Sequence, residues 1–371
     1  MNFCKICSGR IKSNNKDKII KSYLPIFNHM NFEKISDTCT YHKCSYCKLI
    51  SINPNMKIHK SIRSFISPQY ANSKQTNQKK TIKGKSNFLY RSKHQANYIS
   101  KYIKKKNVNI LDIGCFDGKL LNYLNLICRK SFFYGHDINP YLKNNFPSKK
   151  NFFFIKTIKN LNKKFDCIIL SHSLMYIKNL KRTLSLCRKL LKENGKIFIQ
   201  IPNIRENIFY SLMGDQYYVF TENSLINICK LSGFKINKID RKHFSREIIL
   251  ILTKHKNSKP KKPTTKDMIF EKNLAFLNKL KLKLIEKFKS NKYLVLGTTV
   301  NAAFVDEIIN KNVNFFVDEN FQSQNNFFRK KIIQHPKKLQ NFHSVILPFV
   351  KSKNLMLKKF KTTYNGNYIK I

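Results

Sequence analysis

The chain has 371 residues, of which 42% are hydrophobic and 13% aromatic, and its 72 Lys and Arg against 20 Asp and Glu give a formal net charge of +52. This apolar content excludes a wholly disordered polycation, which would lack the hydrophobic residues that offset the entropy of ordering, and the length predicts two or three domains. The charge points first to nucleic acid or an anionic membrane as a partner. However, Lys, Asn, Ile and Phe all have A/T-rich codons, and the lysines are spread along the whole chain. We therefore attribute most of the charge to codon bias.

The sequence also bears on the cellular compartment. No run approaches the about 18 apolar residues of a membrane-spanning helix, and the first residues lack the charged start and apolar stretch of a signal peptide. Five of the ten cysteines crowd the first fifty residues, and the others lie singly in apolar segments, where a thiol behaves as a small hydrophobic group. These features predict a cytoplasmic protein with one metal site rather than a disulfide scaffold.

Two CxxC motifs occur in the first fifty residues. Their cysteines are Cys4, Cys7, Cys44 and Cys47. Two such knuckles complete a tetrahedral sulfur site for Zn²⁺, and because a closed site has no open coordination position, the predicted role of the metal is structural. The stretch between the motifs is longer than in a short zinc ribbon, which predicts an extra hairpin or loop. Cys39 and His42 are alternative ligands, and a redox-active CxxC is the alternative function.

A strand, a glycine turn and a helix follow at residues 109–123, NILDIGCFDGKLLNY. The apolar run predicts a buried strand, Gly114 and Gly118 bracket the turn, and the leucines after it recur at helical spacing. In such a unit the backbone N–H groups at the start of the helix face a mononucleotide. The pattern is not GxGxxG, which disfavours a dinucleotide site.

Two acids complete this motif. Asp112 lies near the end of the first strand and can accept a hydrogen bond from a ligand amine or from the turn. Asp137 follows the next predicted strand, FFYGH, where a carboxylate can hold both hydroxyls of a ribose.

The segment LDIGCFDG, together with Asp137, resembles the class I S-adenosylmethionine-dependent methyltransferases. The resemblance implies S-adenosylmethionine as the cofactor. The residues that it implies as cofactor ligands are Asp112, Gly114, Cys115, Phe116, Gly118, Asp137, Ile138 and Ser171.

The order of the downstream elements agrees with this resemblance. Residues 165–172 and 196–203 read as further strands, with an amphipathic helix between them that we expect to end at Asn194 and Gly195. Residues 220–234 resemble a later helix of the family, and 248–252 its final strand. The predicted fold class is therefore α/β, the Rossmann-like, doubly wound sheet of a class I methyltransferase.

The last third of the chain reads as a second, smaller βαβ unit. It contains a predicted helix at 268–289, a strand at 293–297, a helix at 302–309, and strands at 314–318 and 345–348. A zinc module, a methyltransferase domain and such a unit in this order resemble the bacterial C-methyltransferases that act on nucleotide-linked deoxysugars. The alternative for this unit is a packing or dimerisation domain without a ligand.

The predicted organisation thus has five parts. They are a zinc-binding module at 1–56, a linker or mobile loop at 57–86, the methyltransferase domain at 87–253, a Lys- and Pro-rich linker at 254–267, and a C-terminal Rossmann-like βαβ domain at 268–371.

Methyl transfer needs a nucleophile held close to the methyl group and, for transfer to carbon or oxygen, removal of a proton. The sugar C-methyltransferases that the chain resembles place a Glu-His pair just before the segment that matches 220–221. Asp215 and Gln216 stand at that place here, and Gln cannot act as a base. The candidate catalytic residues are therefore Asp215, His172 and Tyr90.

The resemblance implies methyl transfer to a small, anionic acceptor such as a nucleotide-linked sugar of surface-polysaccharide biosynthesis. Two alternatives stay open: a methyltransferase for RNA or another small molecule, and a degenerate member that binds cofactor without turnover. Nucleic acid is thus a disfavoured partner. The oligomeric state does not follow from the sequence.

Overall fold

The computed structural model of the chain describes residues 4, 6–7, 17–29, 32–52, 60, 62–71, 79–81, 88–104, 106–244, 246–255, 267–319, 327–341, 343–350, 360–362 and 364–371. The first elements are β1 (Lys18–Ser22), β2 (Ile26–Phe27), β3 (Lys34–Ser36), β4 (Cys39–Lys43), β5 (Ile50–Ile52), α1 (Pro68–Ala71), β6 (Lys79–Thr81), β7 (Phe88–Tyr90) and α2 (Arg91–Ile99). The central elements are β8 (Asn109–Ile113), α3 (Lys119–Ile127), β9 (Phe132–His136), β10 (Phe152–Ile155), β11 (Phe165–Ser171), α4 (Leu180–Leu190), β12 (Leu191–Pro202), β13 (Tyr218–Val219), α5 (Glu222–Leu231), β14 (Phe234–Asp240) and β15 (Glu247–Lys254). The last elements are α6 (Ile269–Lys287), β16 (Tyr293–Leu296), α7 (Val300–Ile309), β17 (Val313–Val317), β18 (Phe327–Phe328), β19 (Lys331–Gln334), β20 (Ser344–Leu347) and β21 (Asn367–Lys370).

The central sheet has seven strands in the order β10-β9-β8-β11-β12-β15-β14. The first five run parallel, and β15 is antiparallel to both of its neighbours. The chain starts in the middle at β8, builds outward to one edge and then returns to build the other, which is the doubly wound arrangement. The predicted fold class is confirmed. The carboxyl ends of β8, β9, β11 and β12 meet at one edge of the sheet.

Three details of this sheet differ from the sequence prediction, the first being the edge strand β10, which was not predicted. Helix α4 ends at Leu190 rather than at Asn194 and Gly195, because Leu191 already pairs with Phe165 in the sheet. A Cβ added to Gly195 would lie 2.9 Å from the Phe165 carbonyl oxygen, so the glycine serves close strand contact and not a helix cap. Strand β14 was not predicted, because most of its seven residues are exposed or half-buried and polar.

A second sheet in the last third of the chain has six strands in the order β18-β19-β17-β16-β20-β21. All pairs are parallel except β18 with β19. Its centre is the predicted strand-turn-helix from β16 to α7. The sheet is larger than the sequence indicated, because β18, β19 and β21 are short strands with exposed residues.

The N-terminal sheet is completed by a strand from the central part of the chain. Its order is β1-β4-β5-β13, and the separate hairpin β2-β3 lies between β1 and β4 in sequence, where an extra hairpin was expected. One apolar core joins this sheet to the last third of the chain. In it, Tyr41 of β4 packs on Phe270 of α6 with ring centroids 4.8 Å apart, and Phe209 packs on Phe304 of α7 at 5.4 Å.

Helix α6 presents one face to this shared core and the other to solvent. Phe270, Leu277 and Leu284 are buried, whereas Phe276 is 44% exposed. Among the helices described, none combines the length and the apolar run that crossing a bilayer requires.

We expect Phe270→Ala to lower the free energy of unfolding by about 3–5 kcal/mol, because it leaves a cavity in the core shared by the N-terminal sheet and α6. The matched control Phe276→Ala, on the exposed face of the same helix, should change it by no more than about 0.5 kcal/mol. Chemical denaturation followed by circular dichroism measures both. Equal losses in the two variants would contradict this assignment of the core.

Candidate active site

The glycine turn after β8 is shaped by close backbone contacts. The Gly114 N–H donates to the His136 carbonyl at 2.7 Å, which holds the turn against the end of β9. Gly114 and Gly118 have φ angles of +84° and +70°, values that favour glycine. A Cβ on Gly114 would lie 2.4 Å from the Cβ of Ser173, so no side chain fits there. The turn leaves the start of α3 accessible to a ligand only through its backbone.

Asp137 lies beside this turn. One carboxylate oxygen accepts the Phe116 N–H at 3.1 Å and the other accepts the Asn139 N–H at 3.0 Å. Burial raises the pKa of Asp137 despite these bonds. Each oxygen retains a further lone pair, so the carboxylate could accept two hydroxyls from a ribose. Phe116 itself has a φ of +50°, which places its N–H toward Asp137.

Asp112 is 2% exposed near the end of β8. Its Oδ1 has no hydrogen-bond partner among the residues that the structure describes. Burial, with a smaller contribution from the charge of Asp137, raises the pKa of Asp112 to about 8. A buried acceptor without a partner costs about 1–3 kcal/mol, which a bound donor would recover. These residues fit S-adenosylmethionine, a cation that carries a ribose and an amine.

The remaining predicted cofactor residues surround the same strand ends. Cys115 is buried under the turn, and Ile138 is 70% exposed, which leaves an apolar surface beside Asp137. The Ser171 hydroxyl, at the end of β11, accepts a hydrogen bond of 2.7 Å from the Gln95 amide of α2. The structure therefore brings all eight predicted residues to one edge of the central sheet.

A segment from the predicted linker 57–86 covers the turn. The Asn139 side-chain amide donates to the carbonyls of Phe65 and Ser67, both at 2.9 Å. Tyr70 of α1 packs edge-on against Phe116 with ring centroids 5.4 Å apart. The sequence analysis missed Tyr70, because the polar residues around it indicated a loop.

Asp215 is buried in the same region, at 1% exposure. One of its oxygens accepts the backbone N–H of His29. The other, Oδ1, has no partner in the described part of the chain. Burial raises the pKa of Asp215 to about 7. Burial also raises the pKa values of Tyr70 and Tyr176, with a smaller contribution from the charge of Asp215.

His172 lies in a charged network. Its Nε2 is 3.3 Å from Glu247 and contacts the guanidinium of Arg91, which lies 3.1 Å from the same carboxylate. His172 is thus held by charged neighbours after β11. Tyr90 ends β7 and is 41% exposed. Of the three catalytic candidates, Asp215 alone presents a buried oxygen without a partner among the described residues.

The four predicted metal ligands form a separate cluster. The sulfur atoms of Cys4, Cys7, Cys44 and Cys47 all lie within 4.8 Å of one another. The second knuckle is closed by the Lys48 N–H, which donates to the Cys44 carbonyl at 3.1 Å. The alternatives Cys39 and His42 are not part of this cluster. Four convergent thiols match the donor set of a tetrahedral metal site.

A comparison with known protein families agrees with the central fold. Residues 87–239 match the sequence profile of a family described as "Methyltransferase domain". A structure assigned as a type 11 methyltransferase from Sulfolobus solfataricus has 20% identity over 44% of this chain and 94% of its own, with a TM-score of 0.37. S-adenosylmethionine-dependent methyltransferases from Clostridium acetobutylicum and Listeria monocytogenes each have 14% identity, over 45% of this chain and 92% or 100% of their own, with TM-scores of 0.35 and 0.37. At this level they carry no information about the acceptor. No curated protein sequence matches the chain.

We expect the folded protein to lose stability as the pH rises from about 4 to about 8. The pKa of Asp112 rises from 3.8 to about 8 on folding, so over this range the folded state holds a proton that the unfolded state releases. Asp112→Asn should flatten the slope of stability against pH and leave the smaller net slope from Asp137 and Asp215, whose pKa values are raised, and His29, whose lowered pKa acts in the opposite direction. Urea denaturation across this range measures it, and an unchanged slope in the variant would contradict the assignment.

Proposed function

We propose that this S-adenosylmethionine-dependent methyltransferase transfers a methyl group to a small anionic acceptor, such as a nucleotide-linked sugar, and that Asp215 takes the proton which the acceptor loses. The observation that carries the proposal is the buried Oδ1 of Asp215, which has no partner among the described residues. It lies in the region of Tyr70, which contacts Phe116 of the cofactor turn.

When bound, S-adenosylmethionine supplies a methyl group on a sulfonium, whose sulfur keeps the electron pair of the broken carbon–sulfur bond and becomes neutral. Asp137 and Asp112 would hold the ribose and the amine. Asp215 would accept the proton as the acceptor atom bonds to the methyl carbon. A base is most effective when its pKa is close to the working pH, and the pKa of about 7 at Asp215 meets this condition.

The enclosure of the site supports a small acceptor. Asp215 is 1% exposed, and Tyr70 and Tyr176 lie within reach of its charge. A polymer such as RNA would have to extrude one nucleotide into this space. Arg91 Nε is also buried without a hydrogen-bond partner within the described ranges, and a guanidinium suits a phosphate or carboxylate.

We expect the purified protein to methylate at least one member of a nucleotide-sugar panel, and Asp215→Asn to lower kcat by about 10²–10⁴-fold. The rate of the wild type should rise with pH through an apparent pKa near 7, as Asp215 loses its proton. Neighbouring Tyr70 and Tyr176 have raised pKa values, and burial lowers that of His29 to about 4, so none of them titrates in that range. Asp112, with a pKa of about 8, titrates close to it, so the rise in rate should also be present in Asp112→Asn if Asp215 causes it. Transfer of labelled methyl groups measures activity.

The matched control is Asp166→Asn. Asp166 pairs with Lys192 at 2.8 Å near the amino end of β11. This is the edge of the sheet opposite to the site, so the variant should keep its activity. Asp215→Asn should retain its affinity for S-adenosylmethionine in calorimetry. An active Asp215→Asn variant, or transfer to RNA but to no nucleotide-sugar, would refute the proposal.

We also propose that the cluster of Cys4, Cys7, Cys44 and Cys47 holds one structural Zn²⁺. The support is the convergence of four thiols within 4.8 Å. The second knuckle packs on the central domain, since the Asn227 side chain of α5 donates to the Cys47 carbonyl at 3.3 Å. Loss of the metal should therefore disturb both regions.

We expect about one zinc per chain in the purified protein, and a loss of most of it together with a lower Tm in Cys47→Ser. The control is Cys39→Ser. Cys39 is a buried cysteine of the same module outside the cluster, and its replacement should leave the zinc content intact. Mass spectrometry of the purified proteins measures the zinc content per chain. Less than about half an equivalent of zinc in the wild type would refute the site.

A further inference from the structure

The loop after β2 brings a residue of the N-terminal module to Asp215. The Gly214 N–H donates to the Phe27 carbonyl at 2.8 Å. Asp215 directly follows Gly214, and His29 lies two residues after Phe27. The backbone N–H of His29 reaches the Asp215 carboxylate, 186 residues away in sequence. The loop is closed by the Asn28 N–H, which donates to the Glu33 carbonyl at 3.0 Å. His29 is thus held in place by backbone contacts.

His29 is half-buried, and the Nδ1 atom of its imidazole is shielded from solvent. Its Nδ1 has no hydrogen-bond partner among the residues with a described position. The ring centroids of His29 and Phe65 lie 6.3 Å apart. The Phe65 carbonyl accepts a hydrogen bond from the side chain of Asn139, two residues after Asp137. Burial and the charge of Arg91 lower the pKa of His29 to about 4, so the ring is neutral near pH 7.

Three buried polar atoms have no hydrogen-bond partner among the described residues: His29 Nδ1, Asp215 Oδ1 and Arg91 Nε. The contact of His29 with Asp215 and the influence of Arg91 on His29 connect them. Buried polar atoms in proteins are nearly always paired. A ligand with hydroxyl or phosphate groups offers partners to such atoms.

We propose that His29 is an acceptor-binding residue, whose imidazole Nδ1 forms a hydrogen bond with a hydroxyl or carbonyl of the acceptor next to the atom that Asp215 deprotonates. The four-cysteine module would then supply part of the active site. This inference rests on the proposed function, since it names a contact with the same acceptor.

The test compares full-length wild type with His29→Leu, His29→Gln and Phe32→Leu, using the nucleotide-sugar that the wild type methylates. His29→Leu should raise the KM of the acceptor about tenfold or more, the effect of losing one hydrogen bond, and His29→Gln should restore part of it. Phe32→Leu removes apolar contact in the same loop and should leave that KM unchanged. Affinity for S-adenosylmethionine, measured by calorimetry, should be the same in all four proteins.

A second readout does not depend on turnover. In ¹⁵N-histidine-labelled wild type with S-adenosylhomocysteine, UDP-glucose, dTDP-glucose and GDP-mannose are titrated, and the imidazole signals of His29, assigned with His29→Gln, are followed by NMR. At least one sugar nucleotide should shift them. If His29→Leu fails to fold, His29→Gln and the NMR titration carry the test.

The outcomes separate the two proposals. If no nucleotide-sugar is methylated but one of the three probes shifts His29, the proposed function fails and the His29 contact stands. If a nucleotide-sugar is methylated, and both the KM in His29→Leu and the His29 signals stay unchanged, the contact is refuted and the function stands. No methylation together with no shift refutes both.

Discussion

The hydrogen bond from the Gly214 N–H to the Phe27 carbonyl, at 2.8 Å, fixes the geometry on which the whole site depends. It joins the N-terminal hairpin to the segment after β12, and the next residue along is Asp215. A Cβ on Gly214 would lie 2.8 Å from the Cδ1 atom of Ile26, so a larger residue would have to displace that side chain. This hydrogen bond joins two backbone atoms. It therefore restricts the position of Asp215 more than a contact between two long, flexible side chains would.

The chain as a whole is strongly positive, whereas the site gathers three carboxyl groups. The chain carries a net charge of +52, yet the carboxyl edge of the central sheet holds the buried Asp112 and Asp215 and the half-buried Asp137. Desolvation raises the pKa of each. Crowded carboxylates resist ionisation and favour a cationic ligand. A sulfonium cofactor meets that condition, and the lysines outside are better suited to keeping the protein dissolved or attracting an anion.

Much of the fold could be predicted from the sequence, because its strongest signals are local. The run from Ile110 to Gly118 combines a buried strand, a turn and a helix start within one window, and the structure follows it closely. The two CxxC motifs are equally local, and their four thiols converge. Edge strands with exposed polar residues, such as β14, carry no comparable pattern.

The catalytic surroundings could be predicted only in part. Asp215 was found through a resemblance, but His29 and Tyr70 are single residues in segments without periodicity, and their meeting with Asp215 depends on contacts far apart in sequence. No spacing rule connects positions 29 and 215. The absence of a histidine at position 216 does not mean that the site lacks an imidazole, since the fold brings one from the other end of the chain.

The completion of the N-terminal sheet by β13 has a consequence for how the protein is made. The Tyr41 hydroxyl donates to the Ser211 carbonyl, 170 residues further along, and Tyr41 also packs on Phe270. On the ribosome, the cysteine knuckles can gather early, but the apolar face of β4 and β5 stays uncovered until the central domain and then α6 have emerged. Contacts between residues so far apart in sequence slow folding, and the apolar surface that waits for them is prone to aggregation. The cysteine-containing module is thus synthesised well before the segments that complete it, and a nascent chain of this protein has reason to engage a chaperone.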